Sequence, residues 1–92
     1  MHLRVTRGSF DPTKSDDVLK ETQAVNAVIT RRPGCQALQG GMDRKSGVLV
    51  VISTWDDGEA ANFSRESLGE PFERMVALGV QFQPPEVYEA ID

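Results

Sequence analysis

Residues 2–7 alternate, with Leu3 and Val5 on one side and His2, Arg4 and Thr6 on the other, which predicts a strand with one apolar and one polar face. The alternation stops over residues 8–13, where Asp11-Pro12 suits the opening of a helix, because proline is pre-set for the first helical position. From there to Arg31 the apolar residues recur at Val18, Val25, Val28 and Ile29, with Leu19 and Thr22 alongside. That spacing is helical and gives one apolar stripe. Asp16 and Asp17 early, and Arg31 and Arg32 late, complement the helix dipole, and Pro33-Gly34 ends the segment.

Residues 35–42 predict a weaker strand, in which Gly40-Gly41 suggests a bulge or a close backbone approach. The polar run 43–47 ends in glycine and reads as a hairpin loop. Residues 48–52, Val-Leu-Val-Val-Ile, are apolar at every position and mostly β-branched, so this strand needs cover on both faces. Trp55 closes it. Asp56 and Glu59 read as a capping box with Asp56 at the N-cap; Ala60, Phe63 and Ser67 then share one helical face, and Gly69 suits its end. Glu70-Pro71 opens a further helical piece, with Phe72, Met75, Val76 and Leu78 inward, that stops near Gly79. Pro84-Pro85 excludes helix, and Val87, Tyr88 and Ile91 predict a last strand at a sheet edge.

The resulting order is β-α-β-β-α-β. With a hairpin at its middle, it predicts an α+β domain of ferredoxin-like topology: a four-stranded antiparallel sheet, helices on one face, first and third strands central. Residues 1–92 suffice for a single domain of this kind. The two helical regions cover only one sheet face. The doubly apolar third strand therefore predicts a homodimer in which a second copy covers the other face.

Composition removes several function classes. A net charge of −4 and a pI near 4.9 leave nucleic acid an unexpected partner, because phosphate binding rewards clustered lysine and arginine. The single cysteine, Cys35, excludes an internal disulfide, and with one histidine it supplies too few ligands for a zinc site, so no metal is expected. No run approaches the roughly 20 apolar residues of a membrane span. The first residues lack the apolar core of a secretory signal, so no membrane partner and a cytoplasmic location are expected. Neither a glycine-rich phosphate loop nor a catalytic-triad pattern is present.

Four features taken together resemble the antibiotic biosynthesis monooxygenase-like family of dimeric α/β-barrel proteins. They are Pro33-Gly34 ahead of a strand, the hairpin at 43–47, Trp55-Asp56-Asp57-Gly58-Glu59-Ala60 opening a helix, and Pro84-Pro85-Glu86-Val87 before the last strand. The similarity spans nearly the whole chain. It implies a cofactor-independent monooxygenase, or a related small enzyme, acting on an aromatic, quinol-like molecule held between helices and sheet near a strand-end tryptophan, here Trp55. In some members an asparagine shares the strand face with that tryptophan; here the same-face positions are Ser53 and Val51. The haem-degrading branch uses a histidine near the second helix, and residues 56–79 contain none, so no cofactor is expected.

The catalytic candidates are His2, as a base, and Arg4, as a charge stabiliser for a phenolate or enolate. The same polar stripe also suits a hydrogen-bond network at a strand end or a dimer interface. The candidates for holding a small aromatic or hydrophobic ligand are Trp55, Phe63, Phe72, Met75 and Tyr88. Trp55 reads more readily as a core anchor where strand meets helix, and Phe63, Phe72 and Met75 more often as plain core at helical spacing. Cys35 has no evident partner base. The alternative to an enzyme is a non-catalytic dimeric barrel module that binds a small hydrophobic ligand.

Overall fold

The apolar run at 48–52 lies within a central strand that is paired along both edges. The computed structural model, which describes residues 1–91, places β1 (His2–Ser9) antiparallel to β3 (Val48–Trp55), and β3 antiparallel to β2 (Cys35–Asp43). Two short strands, β4 (Gln81–Phe82) and β5 (Glu86–Glu89), both pair with the other edge of β1. The sheet order is β2-β3-β1-β4, with β5 beside β4 on the same edge, so the first and third strands are central as the ferredoxin-like topology requires. The sheet has five strands rather than four. Pro84-Pro85 separates the last two, since proline has no N–H to give to a ladder.

Register decides which side chains meet the helices. Arg4 pairs with Ser53 and Thr6 with Val51, while Leu3 pairs with Thr54 and Val5 with Ile52. Arg4, Leu49, Val51, Ser53 and Trp55 are buried, whereas Leu3, Val5 and Val50 are half-buried and Val48 and Ile52 exposed. The polar stripe of β1 therefore faces inward, and its apolar side faces out. The expected irregularity at Gly40-Gly41 is absent; β2 shifts register between Cys35 and Ala37 instead.

The inner face is covered by α1 (Ser15–Thr30), which buries Val18, Thr22, Val25 and Ile29. A single 3-10 turn (Pro12–Lys14) leads into it, and the Asp11 side chain accepts from the Thr13 N–H at 2.9 Å. Gly47 fastens the hairpin to the end of β1. Its φ is 72°, its carbonyl accepts from the Phe10 N–H at 2.8 Å, and a Cβ there would lie 2.0 Å from the Phe10 oxygen. Only glycine fits that position.

The second helical region departs from its sequence pattern. Asp57, not Asp56, is the N-cap of α2 (Gly58–Ala61), its carboxylate accepting from the Ala60 N–H at 2.8 Å. The helix then stops, and residues 62–64 are irregular before a 3-10 turn (Arg65–Leu68), so Ala60, Phe63 and Ser67 do not share a helical face. The reason lies in β1: the Arg4 guanidinium takes the Ala61 and Phe63 carbonyls, which a continuing helix would have used itself. In α3 (Glu70–Ala77) Met75 is buried, but Val76 is 51% exposed rather than inward. Ile91 lies beyond β5 and is exposed. Among the described residues no helix is long and apolar enough to cross a membrane, and no group of three or more His, Cys, Asp and Glu is placed to hold a metal.

Candidate functional site

A cavity of about 30 Å³ separates the inner sheet face from the helices. Arg4, Thr6, Val51 and Ser53 line it from the sheet; Thr22 and Asn26 line it from α1. Phe63 and Arg65, from the irregular segment and the 3-10 turn, and Phe72 and Met75, from α3, close the rest. The volume leaves room for a water or two and is far below the roughly 300–1,000 Å³ of typical ligand pockets.

Arg4 is the chemical centre of the cavity and is 2% exposed. Its Nη1 donates to the Ala61 carbonyl at 2.9 Å and to the Phe63 carbonyl at 2.8 Å, and its Cζ stands 3.9 Å from the Phe63 ring centroid. Arg32 flanks the same ring, with its Cζ at 4.6 Å, and Arg65 lies over Phe82 at 5.3 Å. None of these three arginines makes an ion pair among the described residues. Burial, then the charges of Arg65 and Arg32, push the Arg4 guanidinium down to about 10, which leaves it charged at neutral pH. Buried charges are ordinarily paired. In an acidic chain, two unpaired cations, Arg4 and Arg65, line one cavity, and a third, Arg32, flanks its Phe63 wall from outside.

Ser53 links the cavity to the tryptophan. Its Oγ accepts from the Trp55 indole N–H at 2.8 Å, which leaves the hydroxyl proton of Ser53 free to donate. Trp55 is wholly buried, its ring 5.2 Å from that of Phe63, and it does not line the cavity. His2 shares the inner face and pairs with Trp55 in register, but it too is absent from the lining. Its imidazole lies against the start of α2, where a Cβ on Gly58 would come within 3.1 Å of Nε2, and its Nδ1 is buried without a partner. Tyr88 stands on the outer sheet face, half-exposed and hydrogen-bonded to Glu86.

The fold thus gathers Arg4, Phe63, Phe72 and Met75 around one space, leaves His2 and Trp55 beyond its end, and puts Tyr88 on the opposite face. Asn26, Ser53 and Arg65 join the site without having been candidates. The signal for Asn26 was present: it follows Thr22 by one helical turn, a polar pair on the flank of an apolar stripe. Chemically, the arrangement stabilises a negative charge. Among the described residues no carboxylate or imidazole lines the cavity, so no described side chain there is suited to remove a proton at neutral pH. The Cys35 thiol is pushed up by burial, and it is not among the lining residues either.

Neither a family model nor a curated protein matches the sequence. Solved structures do. An antibiotic biosynthesis monooxygenase is 28% identical with a TM-score of 0.64, the match covering 98% of this chain and 99% of that one. SnoaB, a cofactor-independent oxygenase from Streptomyces nogalater, is 21% identical with a TM-score of 0.66, over 99% of this chain and 93% of its own. A candidate antibiotic biosynthesis monooxygenase from Nitrosomonas europaea matches over 100% of both chains at 14% identity and a TM-score of 0.73. Over the described residues, the chain has the ferredoxin-like fold of the antibiotic biosynthesis monooxygenases.

Proposed function

We propose that this protein is a cofactor-independent oxygenase acting on an enolisable, hydroxylated aromatic molecule bound as its anion in the Arg4 cavity. The observation that carries this reading is Arg4 itself: a buried, charged guanidinium with no counter-ion, at the wall of an internal space. A phenolate or enolate oxygen against that cation loses much of its basicity, so the substrate ionises without a dedicated side-chain base. The electron-rich anion gives one electron to dioxygen. The resulting carbon radical and superoxide combine to a peroxide anion, which takes back the proton lost on ionisation and eliminates water. In sum, a ring methylene and dioxygen become a ring carbonyl and water. The solved oxygenases of the same fold support this assignment.

A ring is larger than the cavity of the free protein, so binding displaces a wall. The wall at residues 62–68 is suited to that, being irregular backbone and a single 3-10 turn. The test is oxygen consumption with 1,8-dihydroxy-9-anthrone, followed by the absorbance of the anthraquinone product. Protein-dependent uptake that Arg4→Met removes is expected; uptake equal to buffer alone overturns the oxygenase reading.

A second reading, a non-catalytic module that binds a small hydrophobic ligand, is favoured by two observations. Trp55 stands outside the cavity, with Ser53 and Phe63 lining it in its place, and among the described residues no acid–base pair lines the cavity. Saturable binding of the anthrone without oxygen uptake would select it.

A further inference from the structure

We infer that Asn26 is a ligand-binding residue of this cavity, and that the preferred occupant carries a hydroxyl group at the end opposite its anionic oxygen. The inference rests on the Arg4 cavity as an anion site but not on the oxygenase chemistry.

The starting point is an unmet hydrogen bond. Asn26 lines the cavity from α1, facing the sheet that carries Arg4, and its Oδ1 is buried without a partner. Its helical neighbour Thr22 does not satisfy it, because the Thr22 hydroxyl donates to the Val18 carbonyl at 2.7 Å. The amide nitrogen lies toward β2, 3.5 Å from where a Cβ on Gly40 would stand. The same side chain borders an outer groove shared with Gln23, Gly41 and Met42, so the carboxamide partitions the cavity from the surface between α1 and β2. An unpaired buried carbonyl oxygen costs stability that a leucine of similar volume would not.

The polar groups of the two walls are complementary in kind. On the sheet side, Arg4 commits Nη1 to two carbonyls and keeps the N–H groups of Nε and Nη2, and Ser53 keeps its hydroxyl proton. That wall donates, and it is positive. On the α1 side Asn26 Oδ1 accepts. A ligand that satisfies both walls presents an anionic oxygen to Arg4 and an O–H to Asn26, with an apolar body between them against Phe63, Phe72 and Met75. A hydroxylated aromatic anion has that form; an unsubstituted arene carboxylate meets only one wall.

A matched set of probes separates the contributions: 6-hydroxy-2-naphthoate, 2-naphthoate and 2-naphthol, titrated by calorimetry against the wild-type protein, Asn26→Leu and Asn26→Ser. In the wild type, 6-hydroxy-2-naphthoate is expected to bind about tenfold tighter than 2-naphthoate, the value of one well-made hydrogen bond. In both variants that preference disappears, and unliganded Asn26→Leu melts at the same temperature as the wild type or higher. Equal affinity of the wild type for the two acids, an undiminished preference in the variants, or saturable binding of none of the three overturns the inference. Because no probe is oxidised in this assay, discrimination by Asn26 together with absent anthrone oxidation leaves the inference standing and removes only the oxygenase reading.

Discussion

The Arg4 guanidinium lies 3.9 Å from the Phe63 ring centroid and donates to the Phe63 carbonyl at 2.8 Å, so one side chain of β1 grips both the ring and the backbone of the residue that interrupts the second helical region. Arg4→Met keeps much of the apolar stem but leaves the Ala61 and Phe63 carbonyls without their donor. Each such loss costs about 1–3 kcal/mol, and the lost cation–π contact adds to it. Relief from burying an unpaired cation offsets part of the total. The net expectation is destabilisation by about 2 kcal/mol in urea unfolding, with Arg4→Lys, which retains the charge, losing less. An unchanged midpoint for Arg4→Met would refute the assigned hold on the helix break.

Gly47 offers a test of the fold independent of the cavity. Alanine there meets a positive φ of 72° and a Cβ position 2.0 Å from the Phe10 oxygen, so the Phe10–Gly47 hydrogen bond must break or the hairpin must move. Gly47→Ala is expected to cost more than about 2 kcal/mol. Gly40→Ala is the control: its Cβ would make only ordinary contacts, the nearest at 3.5 Å, and a change within about 0.5 kcal/mol is expected. Equal denaturation midpoints for the two variants would rule out the hairpin tie.

The sheet order was legible in the sequence because it rests on patterns of period two and on turns. The run 48–52 marked a central strand, and Pro33-Gly34 and the 43–47 loop marked the ends of β2. What alternation does not reveal is which face of a strand the helices choose. In β1 the apolar residues Leu3 and Val5 face out, and Arg4 goes under the helices because partners 57 and 59 residues away are there to receive it. The same long-range contact ends α2 at Ala61, where the local sequence would have allowed a longer helix. Phe63, Phe72 and Met75 were legible as inward residues of the second helical region. Trp55 was legible as large and buried, but not as standing outside the cavity, since that depends on Ser53 and Phe63, which both pack on it and line the cavity in its place.

Cys35 gives a pH-dependent readout. Burial raises its thiol above the ordinary 9.0, only partly countered by a backbone hydrogen bond at Ala37. At pH 8 iodoacetamide should label the folded chain more slowly than the urea-unfolded chain, with the folded profile displaced to higher pH. The sign for stability follows: as pH rises through the ordinary thiol range the unfolded chain loses its proton first, so the folded state is progressively disfavoured. Labelling as fast in the folded chain as in the unfolded one would contradict this placement.

The outer sheet face yields the last prediction. Leu3, Val5 and Val50 lie half-buried at its centre, with Ile52, Val48 and Tyr88 exposed at 43%, 44% and 51%, and no element of this chain crosses it among the described residues. A second copy is the natural cover, because an apolar face of this kind is self-complementary about a two-fold axis and the small domain gains stability by burying it. The Arg7–Glu86 ion pair, with N to O at 3.2 Å, sits at the border of that face and suits a polar rim. Light scattering at micromolar concentration should therefore return twice the chain mass. Ile52→Lys, which sets like charges near each other across the two-fold, should return a monomer whose circular dichroism is unchanged, because Ile52 is already partly exposed in the single chain. A wild-type protein that scatters as a monomer, or an Ile52→Lys variant that stays dimeric, would place the subunit contact elsewhere or remove it.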